Sequence, residues 1–334
     1  MQGTSRGGVD KVIIPRIRMR KSKVTLAKTI QMARFTLATL QTSEGPQAAI
    51  GIGDSYYPLS QALDNFQHAS VKSLLEDWPT SLAKLEDLAS DIVSGKLANA
   101  QSVSTTRATL LTPILWPNKF ICVGANYVGH LKEMGLSPTK WKTMPFFLSP
   151  PTTCLVGPGE TVEIPKMTKE FDWELELALV VGRRLRNATK EEASQAIAGY
   201  SIGLDLSCRD LTVVDSEIRV DLVRGKAQDT MSPCGPFILP AKFLPDITNL
   251  KLTLDVNGKQ MMNSSTNEML FTCEEMLMTI SEFITLEPGD LIFTGSPSGS
   301  AGVHGNCWLK PGDEIHAEIE GIGALDVRMK RSRR

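Results

Sequence analysis

The decapeptide DWELELALVV, from Asp172 to Val181, constrains this 334-residue chain more than any other stretch. Its apolar residues have the spacing and length of a buried strand, yet Asp172, Glu174 and Glu176 occupy alternate positions within it. Successive strand residues point to opposite faces, so Glu174 and Glu176 share a face at roughly 6.5–7 Å separation while Leu175, Leu177 and Leu179 point into a core. The residues that follow, Ala178, Val180 and Val181, are small or apolar. That continuation argues for an acid face that is at least partly buried, and against acids simply turned to water. Buried like charges need a cation.

An oxygen-preferring divalent ion takes monodentate carboxylates plus waters. Three carboxylates with open positions suit Mg²⁺ or Mn²⁺, with Ca²⁺ possible and less demanding in geometry. The third has to come from elsewhere. Asp205 is a candidate because it ends the apolar run GYSIGLD as the chain turns into SCRD, although a turn or helix-cap aspartate reads the same way. His130 lies in NYVGHLKEMG. If HLKE is helical, His130 and Glu133 share a face, and the carboxylate can orient the imidazole to draw a proton from water. A surface pair is the plain alternative. Lys226, in VRGKAQDT, suits either a lysine reaching into a site or an exposed one, and His68, His304 and His316 lack a comparable partner and read as structural.

Lys and Arg total 36 against 37 Asp and Glu, so the net charge of −1 supplies no global field for nucleic acid or an anionic membrane. The longest apolar run, near Leu175–Val181, falls far short of the roughly 18 residues a membrane span needs. Six scattered cysteines, with no CxxC pair, read as reduced thiols of a cytosolic-type compartment. Residues 1–31 stand apart: Arg6, Lys11, Arg16, Arg18, Arg20, Lys21, Lys23 and Lys28 face a single acid, Asp10. They read as a disordered extension, or as a mitochondrial transit peptide in place of the cytoplasmic assignment.

Residues 32–110 read as a small N-terminal α/β domain. It has a hairpin over Ala33–Leu40 and Ala48–Ile52 and a helix over 71–95 interrupted near Pro79. Residues 111–330 are β-rich. Capping boxes at Thr189/Glu192 and Thr272/Glu275 open two helices, the first running toward Ala198 and the second carrying Met276, Leu277, Ile280, Phe283 and Ile284. Two similar units, EPGDLIFTG and KPGDEIHAEIEG, place Pro-Gly turns before strands and suggest successive strands of one sheet or roll.

Taken in order, ANYVGHLKEMG, PFFLSPPTT, EFDWELELALVVG, GYSIGLDLSCRD, RGKAQDT, the segment 266–277 and GDLIFTGSPSG resemble the fumarylacetoacetate hydrolase family, in its acylpyruvase-like branch. The resemblance spans about residues 115–330 and implies an α+β, β-rich fold: a mixed β-sandwich roll carrying the catalytic site, beside the small N-terminal domain. It implies Glu174, Glu176 and Asp205 as ligands of Mg²⁺ or Mn²⁺, His130 and Glu133 as a catalytic dyad in a lid flanked by Gly124, Gly129 and Gly135, and Lys226 as the active-site lysine. Arg209, Ser296 and Tyr127 would meet the substrate, and no ligand role falls on Asp172. The implied activity is cleavage of a carbon–carbon bond in a 1,3-dicarbonyl acid, or decarboxylation or keto–enol isomerisation on the same site, in a homodimer. Ser149, Ser296 and Ser298 depart from the lysines and threonine common at those positions. Fewer cations then line the pocket, which predicts a less anionic or bulkier substrate than a simple acylpyruvate.

Overall fold

The alternation after Ala33 folds as a hairpin, with Thr36–Thr42 antiparallel to Gly45–Ile52, in a computed structural model that describes residues 33–332 apart from 63–68 and 98. The basic segment 1–31 and His68 lie outside the described residues. The expected helix over 71–95 is two helices, Val71–Glu76 and Trp78–Val93. Pro79 sits at the start of the second, where its missing N–H removes no helical hydrogen bond.

An eleven-stranded mixed sheet carries most of the chain. Its path runs Val103–Ser104, Ser55–Pro58, Gly45–Ile52, Thr36–Thr42, Ser232–Pro240, Ile197–Leu204, Leu175–Val181, Leu291–Phe293, Phe120–Val123 and Phe146–Ser149, with Leu155–Val156 alongside Ser232–Pro240. The N-terminal strands join it through Leu37 beside Ile238. A five-stranded sheet orders Lys259–Ser265, Lys251–Val256, Glu314–Ile319, Gly323–Arg331 and Thr161–Ile164. Phe171–Asp172 pairs separately with Ser207–Cys208.

The two Pro-Gly units therefore do not feed one sheet. Leu291–Phe293 enters the large sheet, with strands on both sides and every residue buried, whereas Glu314–Ile319 alternates exposed and buried in the five-stranded sheet. Identical turn chemistry starts both strands. The burial pattern that follows decides where each one goes.

Leu175–Val181 is buried on both faces. Leu175, Leu177 and Leu179 join one core with Trp173, Met276 and Ile280, while Ala178 and Val180 join another with Phe120 and Phe293. Gly203, opposite Glu176, lets the Phe293 ring come close: a Cβ there would lie 2.4 Å from the ring. Both capping boxes form. The first helix stops at Gln195, short of Ala198, because Ile197–Leu204 pairs as a strand, and Phe283 of the second is 66% exposed despite its apolar spacing.

Candidate cation centre and active site

The bond that assembles the acids is a backbone one. Asp205, the first residue beyond the Ile197–Leu204 strand, donates its amide to the Glu174 carbonyl at 2.9 Å. Glu176 is two residues further along, opposite Gly203. One carboxylate oxygen from each of Glu174, Glu176 and Asp205 lies within 4.8 Å of the others, and all three residues are buried. The sequence expectation of two strand acids completed by Asp205 thus corresponds to one cluster in space.

Two cations enter that cluster from neighbouring helices. Lys226, at the end of Leu222–Lys226, donates to Glu174 Oε2 and to Asp205 Oδ2, the latter at 2.6 Å. Arg209, at the start of Arg209–Thr212, donates from a terminal nitrogen to Glu174 Oε1 at 2.6 Å and from Nε to Asp172 Oδ2 at 2.8 Å. Burial alone would raise the Glu174 carboxyl, but Arg209, Lys226 and His130 together hold it well below the usual range. Glu176 moves the other way: burial, then repulsion from Asp205 and Glu174, pushes it well up. Asp205 is pushed up to about 6 by burial and by Glu174, against the pull of Lys226. Desolvation also works against charge on Lys226 and Arg209, yet the carboxylates around them raise both and keep them cationic.

This set fits a divalent cation. Asp205 Oδ1 is buried and has no hydrogen-bond partner, which is the condition of a lone pair left for a metal. Glu176 Oε2 accepts a single backbone amide, from Gly295 at 2.6 Å. With Asp172, four buried carboxylates face Lys226 and Arg209, and the unbalanced charge adds to burial in raising Glu176 and Asp205. Oxygen-only ligands point to Mg²⁺, Mn²⁺ or Ca²⁺ over thiophilic metals.

His130 stands against this centre. HLKE is helical, within Val128–Glu133, and His130 Nδ1 lies 3.2 Å from Glu133 Oε2. Its Nε2 lies 3.5 Å from Glu174 Oε1. Glu133 is itself anchored, accepting the Gly299 amide at 2.6 Å through Oε1. The imidazole is held on one side and presents its other nitrogen to the acids, the arrangement of an oriented base.

The residues expected against substrate fare differently. Arg209 is in the cluster with a quarter of its side chain accessible. Ser296 is buried, and its hydroxyl donates to the Pro297 carbonyl at 3.3 Å. Tyr127 is wholly buried at the start of the His130 helix, with its backbone bridged to Met269 and its hydroxyl without a hydrogen-bond partner. His304 donates from Nε2 to the Met261 carbonyl and His316 pairs with Asp326 on the exposed face of the five-stranded sheet, in keeping with structural roles.

Two site-building residues escaped the sequence reading. Buried Asn126 donates to the Thr294 carbonyl at 2.8 Å and accepts the Phe271 amide at 2.8 Å, tying the His130 segment to two distant loops. Gly295 has φ +89°, and a Cβ there would lie 2.9 Å from Asn126 Cβ, so glycine is what brings its amide to Glu176. The sequence signals for Asn126 are its place just after the buried FICV strand and within ANYVGHLKEMG.

The signature of the fumarylacetoacetate (FAA) hydrolase C-terminal family matches residues 119–330. The chain is 37% identical over 223 residues to a human mitochondrial oxaloacetate tautomerase, covering 66% of this chain and 69% of that protein. It is 33% identical over 295 residues to a mitochondrial oxaloacetate tautomerase of Xenopus laevis, covering 86% and 88%. Among solved structures it resembles fumarylpyruvate hydrolase from Pseudomonas aeruginosa in complex with Mn²⁺ and pyruvate, with a TM-score of 0.58 and 29% identity over 67% of this chain and 92% of that one.

Proposed function

This chain belongs to the fumarylacetoacetate hydrolase family, and from that premise we propose that it is a divalent-cation-dependent keto–enol tautomerase of a short α-keto dicarboxylate of the oxaloacetate type. The observation that carries the reading is the position of His130, with Nδ1 on Glu133 and Nε2 only 3.5 Å from Glu174 Oε1. A base held so close to a carboxylate of the cation site suits direct transfer of a carbon-bound proton on a substrate anchored there.

Glu174, Glu176 and Asp205 would hold Mg²⁺ or Mn²⁺, which when bound supplies a Lewis acid for the keto-acid oxygens. The chain's own residues move the proton. His130 Nε2 takes it from the carbon next to the keto group and returns it to the oxygen, or the reverse, so the reaction balances without water or a co-reactant. Glu133 stabilises the imidazolium formed in between. Lys226 and Arg209 offer positive charge to the enolate as it develops.

Ser149, Ser296 and Ser298 favoured a less anionic or bulkier substrate; the two tautomerase relatives favour a compact dianion, for which Arg209 and Lys226 supply the charge. Carbon–carbon hydrolysis is the second reading, supported by the similarity to fumarylpyruvate hydrolase and by the capacity of the same dyad to activate water. Incubation in ¹⁸O-labelled water separates the two. Tautomerisation leaves the carbon skeleton intact, whereas hydrolysis yields two fragments with ¹⁸O in a new carboxylate. The proposed compartment is the mitochondrion, supported by the relatives and by the basic segment 1–31, in place of the cytoplasm. Among the described residues no helix is long and apolar enough to cross a membrane. A homodimer is proposed through the exposed apolar side chains of Val213, Ile218, Val220 and Val223.

A further inference from the structure

Asp172 is 1% exposed and yet lies outside the cation set. Its Oδ1 accepts the backbone amides of Trp173 and Ala301, both at 2.8 Å, and its Oδ2 accepts Arg209 Nε at 2.8 Å. From Arg209 the contacts run to Glu174 Oε1 at 2.6 Å, and from that oxygen to His130 Nε2 at 3.5 Å. His130 leads to Glu133, and Glu133 to the Gly299 amide. Gly299 stands two residues before Ala301, and its carbonyl accepts Trp173 Nε1 at 2.9 Å. The contacts close into a ring, and Asp172 is the residue where both ends meet.

An arginine on Glu174 competes with a cation, because it neutralises a charge that the cation would use. A buried guanidinium left to itself takes a carboxylate with both arms of its fork. Here Nε is committed to Asp172 and Lys226 occupies Glu174 Oε2, so Arg209 meets Glu174 through one nitrogen on one oxygen.

We propose that Asp172 is a positioning residue for the cation site: it holds Arg209 off full pairing with Glu174 while fixing the 299–301 strap on which Glu133 is anchored. The proposal rests on the reading of Glu174, Glu176 and Asp205 as cation ligands. In Asp172→Asn the amide oxygen can still accept from Trp173 and Ala301, but the amide nitrogen would face Arg209 Nε, donor to donor. Arg209, released from Asp172, then turns more fully onto Glu174, where it competes with Lys226 and with the cation.

Calorimetric titration of the full chain with MnCl₂ tests this in four proteins: wild type, Asp172→Asn, Arg209→Met and the double variant. Asp172→Asn is expected to bind Mn²⁺ about tenfold more weakly than wild type, the scale on which residues behind metal ligands act. On the Arg209→Met background the same change should cost nothing, because the competitor is gone. Equal losses on both backgrounds, the mark of a purely structural role, overturn the proposal, as does unchanged binding by Asp172→Asn. Arg209→Met alone must bind at least as well as wild type, and weaker binding overturns the proposal even if Asp172→Asn does not fold. Absence of Mn²⁺ binding by wild type removes the cation reading itself and takes the proposal with it, an outcome distinct from the others.

Discussion

Glu133 holds His130 Nδ1 at 3.2 Å through one carboxylate oxygen and the Gly299 amide at 2.6 Å through the other. The two oxygens do different work, so one isosteric change separates them. In Glu133→Gln the amide oxygen can keep Gly299, but the amide nitrogen then donates to Nδ1, forcing the proton onto Nε2 and removing the base. Turnover is expected to fall by about 10²-fold, the low end of what a positioned base contributes, with Mn²⁺ binding retained in calorimetry. Unchanged turnover would show that the tautomer of His130 does not matter.

Gly203 makes room for Phe293 beside the strand that carries Glu176. Gly203→Ala should destabilise the protein by about 1–3 kcal/mol, as overpacking of a core typically does, read as a lower denaturation midpoint with an unchanged slope. A midpoint equal to that of wild type would mean that the ring has space to move.

The Thr272 capping box gives a pH dependence with a definite sign. Burial alone would raise the Glu275 carboxyl, but donors from Lys140 and the Thr272 amide outweigh it and hold it below its ordinary value. A depressed native value contributes stability that is complete above the unfolded carboxyl's pKa, about 4.3, and is lost as pH falls through the native value. Glu275→Gln should therefore cost stability at pH 7 and progressively less in acid. Urea denaturation at pH 7 and below pH 4 checks it, and a cost that grew in acid would reverse the sign.

Ile218 is 84% exposed in a row of exposed apolar residues along the chain, with Val213, Val220 and Val223. Ile218→Asp should shift a dimer toward monomer in light scattering at micromolar concentration. Wild type that is monomeric under the same conditions would remove the row from consideration as a self-association surface.

What could be read in the chain follows the range of each interaction. The His130/Glu133 dyad and both capping boxes are three residues long, so spacing alone exposes them. The row of acids was visible from its alternation and its burial from Ala178 and Val180, although only Glu176 lies in the Leu175–Val181 strand, with Asp172 in Phe171–Asp172 and Glu174 between the two. The partners of Asp172 were not visible, since Arg209 and Ala301 lie 37 and 129 residues away and no local pattern names them. Asn126 is hidden for the same reason, with partners 145 and 168 residues distant. The paired Pro-Gly units misled because a turn motif fixes how a strand begins and says nothing of what it pairs with.

The proposal makes His130 the proton-transferring base of a tautomerase that needs a cation. Stopped-flow loss of enol absorbance from oxaloacetate, with Mn²⁺-loaded wild type, chelator-treated wild type and Mn²⁺-loaded His130→Ala, measures it directly. Rapid decay is expected for loaded wild type, a fall to the spontaneous rate with chelator, and a loss of about 10²–10⁴-fold in His130→Ala despite intact Mn²⁺ binding. Decay at the wild-type rate in His130→Ala, or in the chelated enzyme, would contradict it.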